Sequence, residues 1–151
     1  MNFSSHISGF VDGEGCFLIS FNFRAKMKSK IEIRPSFSIS QNKRNLEILQ
    51  KIHAFFKCGA IRFSKKDQNY KFEVRAIEDL MRKIIPHFQN FPLQTSKQKD
   101  FEIFSEICEK IFKSQHLNFE HLKEIIKKAY QMNPSGKRKY SQEKLLSFLT
   151  R

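Results

Sequence analysis

The apolar positions of this chain change period several times, and the changes mark its elements. Ile7, Phe10 and Val11 share one face of a short helix that Ser4 or Ser5 can cap. After Gly15 the period becomes two. Phe17, Ile19, Phe21 and Phe23 alternate with Leu18, Ser20, Asn22 and Arg24. A polar turn from Lys26 to Ser29 leads to Ile31, Ile33, Phe37 and Ile39, which alternate with Glu32, Arg34, Ser36, Ser38 and Ser40. Two such strands form a hairpin with one apolar and one polar face. Pro35 cannot donate a ladder bond, so a bulge or the sheet edge is its expected place. Helical spacing returns in Leu46, Leu49, Ile52, His53 and Phe56 and stops at Gly59. In a second hairpin, Ile61 and Phe63 face Tyr70, Phe72 and Val74, with the turn at Asp67-Gln68-Asn69. Ile77, Leu80, Met81, Ile84 and Ile85 then trace a helix to Phe88 that Pro86 should kink or end.

Beyond Phe91-Pro92 the pattern is helical. It runs from Lys97 to Phe112 and from Phe119 to Tyr130, then, after the basic loop Asn133 to Lys139, into a short helix capped by Ser141. This order predicts an α+β fold, α-β-β-α-β-β-α, with a four-stranded antiparallel sheet backed by helices on one face and further C-terminal helices. No linker or low-complexity run interrupts it. Residues 1–151 therefore read as one domain: a first helix (1–15), the sheet with its helices (16–91) and a helical part (92–151).

Composition narrows the class. The chain is 40% hydrophobic with 17 Phe, which excludes a disordered polypeptide. It has 28 Lys and Arg against 15 Asp and Glu, a net charge of +13 that points to a polyanionic partner, nucleic acid before membrane. No helix pairs a Lys-rich face with a broad aromatic one, as a membrane-surface helix would. Cys16, Cys58 and Cys108 are widely spaced without a C-x-x-C, so neither a zinc site nor a disulfide framework is indicated. The five histidines show no metal-ligand spacing. The start, Met1 to His6, has neither a secretion signal nor an Arg-rich transit pattern, so an organellar location would require synthesis there.

The charge is also patterned. The polar strand faces carry Ser20, Asn22, Arg24 and Lys26; Lys30, Glu32, Arg34, Ser38 and Ser40; Arg62, Ser64 and Lys66; and Lys71, Glu73 and Arg75. A solvated face usually mixes signs, yet only Glu32 and Glu73 are acidic here. Arg and Lys can bond guanine, Glu can accept from cytosine, and the major groove admits a β-ribbon.

The densest signal is Ile7-Ser8-Gly9-Phe10-Val11-Asp12-Gly13-Glu14-Gly15. It holds three of the five glycines and two carboxylates. Gly costs about 1 kcal/mol relative to Ala in a helix interior. Gly9 and Gly13, at i and i+4, share a face and form a strip without side chains, against which another backbone could pack closely. Gly15 suits a left-handed helix stop. The segment resembles the signature of the LAGLIDADG homing endonucleases, and the predicted element order is similar to theirs over nearly the whole chain.

That resemblance implies a saddle-shaped sheet that reads DNA. It implies dimer-interface roles for Gly9, Phe10, Asp12 and Gly13, and a catalytic, metal-binding role for Glu14 with the Gly13 carbonyl. Gln41 matches a position that orders active-site water, and Lys97, in Lys97-Gln98-Lys99, a lysine of the catalytic pocket. Lys137, Arg138 and Lys139 lie in a stretch similar to a backbone-gripping loop. Asn45 stands where relatives often have an Arg, with Arg44 beside it. Asp12 is either a second metal ligand or, as favoured here, a cap on the partner's motif helix.

The implied reaction is phosphodiester hydrolysis, for which bound Mg²⁺ can activate water and stabilise charge. Mn²⁺ is expected to substitute, and Ca²⁺ to bind without supporting cleavage. Mg²⁺ sites commonly use one or two carboxylates with phosphates and water. One carboxylate per chain is too few, so a homodimer is expected on a long, roughly palindromic duplex, with no small-molecule substrate. An intron-encoded organellar protein is the expected origin. An RNA-binding splicing cofactor on the same scaffold and a non-catalytic DNA-binding regulator are the alternatives.

Overall fold

The computed structural model describes residues 2–133, 136 and 138–149. The first helix, α1 (Phe3–Glu14), is capped by Asn2, whose side chain accepts from the Ser4 N–H at 2.8 Å. Neither Ser4 nor Ser5 does so. The helix starts a turn early because Phe3 packs edge-on against Phe55 and stacks on His6.

Strands β1 (Gly15–Phe23), β2 (Ile31–Asn42), β3 (Ala60–Ser64) and β4 (Asn69–Val74) form one antiparallel sheet in the order β1-β2-β4-β3. The β1–β2 register runs without a bulge from Gly15↔Ile39 to Phe23↔Ile31. Pro35 lies within this ladder, opposite Ile19, although β2 is a central strand. It is tolerated because β4 reaches β2 only from Phe37↔Val74 onward, leaving the other flank of Pro35 uncovered.

Helix α2 (Leu46–Phe56) follows a 3₁₀ turn, Lys43–Asn45. It ends through Lys57 in the left-handed region rather than at Gly59. Gly59, at φ +78°, instead starts the next strand, and a Cβ there would lie 2.5 Å from the Glu73 carbonyl oxygen. The helix expected at 77–88 comprises α3 (Ile77–Asp79), a π-helical stretch (Leu80–Ile84) and α4 (Ile85–Asn90). The π segment answers Pro86, which has no N–H and would clash with the carbonyl four residues before it. Widening the turn, with the Ile85 N–H on the Leu80 carbonyl, avoids that contact. Helices α5 (Lys97–Phe112), α6 (Phe119–Ala129) and α7 (Gln142–Phe148) complete the fold, α7 capped by Ser141 as expected.

The apolar strand faces and the helices enclose a core centred on Phe17. Its ring lies 5.2–5.5 Å from those of Phe37, Phe88, Phe101 and Phe104. Aromatic pairs in such geometry add roughly 0.5–1.5 kcal/mol each beyond area burial. The core leaves the other face of the sheet without a covering layer. Among the described residues, no helix is long and apolar enough to cross a membrane.

Candidate functional site

The site is built where α1 passes directly into β1. Ile7, Ser8 and Val11 face the core, anchoring the helix. The Ser8 hydroxyl donates to the Phe91 carbonyl at 2.5 Å and lies 3.4 Å from Nε2 of buried His87. The opposite stripe of α1 is open, and a Cβ built on Gly9 or Gly13 meets nothing within 4 Å. Gly15 differs. It is extended at φ −88°, not left-handed, and its hydrogen is required because a Cβ would lie 2.5 Å from Val11 Cγ1. It lets the strand leave the helix tightly folded onto Val11.

Glu14 closes the helix and is exposed, with no hydrogen bond or ion pair among the described residues. The last carbonyls of a helix lack intrahelical donors. Lys97, at the start of α5, supplies one to the Asp12 carbonyl at 3.1 Å, and its ammonium also donates at 2.9 Å to the Val11 carbonyl, which accepts the Gly15 N–H as well. A cation at the negative end of the helix dipole is favourable there. The structure therefore brings Lys97 within a turn of Glu14. Lys97 and Lys71 also act electrostatically on the Cys16 thiol, which burial pushes above its ordinary pKa against the pull of these two charges.

Within its own chain Asp12 is tied to the turn before α5. Its carboxylate accepts from the N–H groups of Gln94 (2.8 Å) and Thr95 (3.0 Å) and from the Thr95 hydroxyl (2.7 Å). These donors lie in the turn that leads into α5, the nearest unpaired N–H groups to the end of α1. Burial alone would raise the Asp12 pKa. The bonds from Gln94 and Thr95 and the charge of Lys97 outweigh it and hold the carboxyl below its usual value. Both of its oxygens are engaged, whereas among the described residues those of Glu14 are not. Gln94 and Thr95 carry no sequence signal for this role, because the contact spans more than 80 residues.

Gln41 lies near the end of β2. Its amide donates to the Ser40 carbonyl at 2.9 Å, and its oxygen accepts from Asn45 Nδ2 at 3.1 Å. Asn45 thus supports Gln41. Arg44 is exposed in a shallow depression with Asn45, Glu47, Ile48 and Lys51.

On the uncovered sheet face, Arg24, Lys26, Lys30, Arg34, Ser40, Arg62, Lys66, Lys71 and Arg75 are exposed, whereas Ser20, Asn22, Glu32, Ser64 and Glu73 are half-buried. Ser38 is a correction: it is buried, a short side chain between its register neighbours Cys16 and Glu73. The same alternation puts Cys16 and Leu18 on this face, where parity alone could have found them.

Arg138 is half-buried and bonded within its own chain. Its guanidinium donates to the carbonyls of Ile19 (2.8 Å) and Ala129 (2.6 Å) and stacks over Tyr130. Together with Asn133, which donates to the Phe17 carbonyl at 2.9 Å, it ties the loop to the free edge of β1. That edge needs donors, and Arg138 supplies one there. Lys139 remains exposed, and Lys137 lies outside the described residues.

The fold thus presents a basic sheet face and, at the join of α1 and β1, an exposed carboxylate. The chain belongs to the LAGLIDADG endonuclease family, whose model matches residues 7–108. It is 31% identical over 130 residues to "Probable intron-encoded endonuclease 2" of Neurospora crassa, covering 85% of this chain but only 29% of that protein. It is similar along its full length to two solved structures. One is the homing endonuclease I-TnaI, with TM-score 0.84, 33% identity, and 97% and 95% of the two chains covered. The other is the archaeal intron-encoded homing endonuclease I-Vdi141I in complex with DNA, with TM-score 0.90, 27% identity, and 98% and 94% covered.

Proposed function

We propose that this chain is a homing endonuclease that acts on double-stranded DNA as a homodimer, hydrolysing one phosphodiester on each strand with Mg²⁺. The observation that carries this reading is the state of Glu14. It is an exposed carboxylate beside Lys97, at the end of an open glycine stripe, and among the described residues nothing bonds to it or fills that stripe. A protein that only bound DNA or RNA would gain nothing from an unpaired carboxylate close to phosphates. This favours the enzyme over a splicing cofactor or a regulator.

The metal donors on offer are oxygens only, the Glu14 carboxylate and the Gly13 carbonyl, which suits a hard cation such as Mg²⁺. Among the described residues, no three His, Cys, Asp or Glu gather into a metal-holding group. One chain therefore contributes part of a site, and close contact along Gly9 and Gly13 would bring a second Glu14 to complete it. Bound there, the cation supplies charge neutralisation and an activated water. In this reading Lys97 adds positive charge, Gln41 orients a water, and the basic strand faces with Lys139 hold the duplex. The similarity to intron-encoded fungal and archaeal proteins supports an intron-encoded origin, with an organelle as the location for a fungal-type relative.

The test is selection of cleaved sites from a randomised duplex library with Mg²⁺, comparing wild type with Glu14→Gln. Wild type should cut a long, roughly palindromic consensus. Glu14→Gln should bind that site and fail to cut it. Cleavage by Glu14→Gln at the wild-type rate removes Glu14 from the mechanism. Affinity should also fall steeply with salt, as phosphate contacts require.

A further inference from the structure

The two acidic side chains on the basic sheet face each stand between two cations. Glu32 Oε2 accepts from Arg24 Nε at 2.7 Å across the β1–β2 pair, and its Oε1 accepts from Arg34 Nε on its own strand. Glu73 repeats the arrangement on β4, with Lys71 Nζ 3.4 Å from Oε2 and Arg75 Nε 3.6 Å from Oε1. In both clusters the carboxylate is set lower in the face than its cations, which stand about half exposed.

Stability does not explain the repetition, since exposed ion pairs contribute little. Nor does recognition of cytosine, because a cytosine amino group would have to share carboxylate oxygens already engaged by two cations. The atoms used are informative. Arg24 and Arg34 bond the Glu32 carboxylate through Nε, and Arg75 faces Glu73 through Nε at ion-pair distance, which leaves both terminal nitrogens of each guanidinium for a ligand. That paired donor fork matches the O6 and N7 acceptors of guanine. Free arginine side chains have large rotamer entropy, and ordering them before binding removes part of the cost of binding. The carboxylates repel phosphates, so their presence on this face fits an ordering role.

We propose that Glu32 and Glu73 are positioning residues that hold Arg24, Arg34 and Arg75 by Nε with their terminal forks outward, so that each target half-site carries guanine where these arginines reach. The proposal rests on the DNA-binding reading above. Arg34 and Arg75 both line one depression with Pro35 and Ile77, whereas Arg24 follows the end of β1 and does not line it.

The experiment is binding selection from a randomised duplex library without Mg²⁺, followed by affinities for a panel of duplexes with single-base changes. Arg24→Ala, Arg34→Ala and Arg75→Ala should each erase a guanine preference at one position, a loss of about 5- to 150-fold in discrimination. Glu32→Gln should weaken the preference at the Arg24 and Arg34 positions together, and Glu73→Gln at the Arg75 position. Both acidic variants should bind non-cognate DNA more tightly than wild type, because a negative charge has left the face. A merely structural role would lower cognate and non-cognate binding alike, and that result overturns the proposal. So does an unchanged profile in both acidic variants, or a wild-type consensus without guanine at positions sensitive to these arginines. Failure of the wild type to select any consensus would instead refute the DNA-binding reading itself.

Discussion

Replacing Gly9 by Ala should strengthen the isolated chain and weaken its self-association. Gly9 lies in the interior of α1, and a Cβ there meets nothing within 4 Å. The chain gains the helix-propensity difference of about 1 kcal/mol with no steric cost. For a domain of this size that raises the unfolding midpoint by about 2–4 °C. In a dimer packed along the stripe, the added methyl enters the contact twice, once from each chain. At about 1–3 kcal/mol per overpacked site, the dimer loses about 2–6 kcal/mol, a Kd at least roughly 30-fold weaker. The contrast is Gly15→Ala, whose Cβ would lie 2.5 Å from Val11 Cγ1 and should destabilise the chain by about 1–3 kcal/mol. Urea unfolding on dilution below the dimer Kd reads the first effect, and sedimentation across a concentration series reads the second. If Gly9→Ala destabilises the dilute chain, the stripe is not open. If it leaves association unchanged, the two helices do not meet at Gly9.

Three further changes test the scaffold that holds the site. Asp12→Ala removes three hydrogen bonds to Gln94 and Thr95 and should cost about 2 kcal/mol at neutral pH, with Asp12/Thr95 double-mutant coupling of at least about 0.5 kcal/mol; additive losses would show that the pair does not couple. The Asp12 carboxyl is held below its ordinary value, so its contribution is present above about pH 4 and fades as pH falls through the lowered folded-state pKa. Buried His87 is pushed down to about 4 by desolvation against its usual 6.5, so the unfolded chain takes up a proton first. Stability should decline by about 3 kcal/mol as pH falls from 6.5 to 4, and His87→Phe should flatten that part of the urea-midpoint profile. Arg138→Ala leaves the Ile19 and Ala129 carbonyls without their donor and should cost about 1–3 kcal/mol; an unchanged midpoint, with weaker DNA binding, would return Arg138 to the DNA-gripping role.

What could be read from the chain and what could not divides along the range of the interactions. The element order, the sheet, the Ser141 cap and the open glycine stripe follow from periodicity and from contacts a few residues apart, and all are local. The departures are places where a distant partner decides. Ser4 and Ser5 are competent caps, yet Asn2 takes the position because Phe3 packs on Phe55, far along the chain. Pro35 sits in a central strand because β4 is short, a fact about another segment. Arg138 looks like one more exposed cation in a basic loop until the free carbonyls of β1 claim it.

The carboxylates show the same rule at the site. Asp12 and Glu14 are two residues apart in one motif, and no sequence argument separates an engaged oxygen pair from a free one. The separation comes from the 94–95 turn, which lies beside Asp12 and brings three donors to it. That engagement also carries Lys97, two residues past Thr95, onto the last carbonyls of α1. Asp12 therefore sets the join between α1 and α5 that keeps a cation within a turn of Glu14. A motif that appears to offer two equivalent acids is divided by the fold into one that ties two helices together and one left exposed.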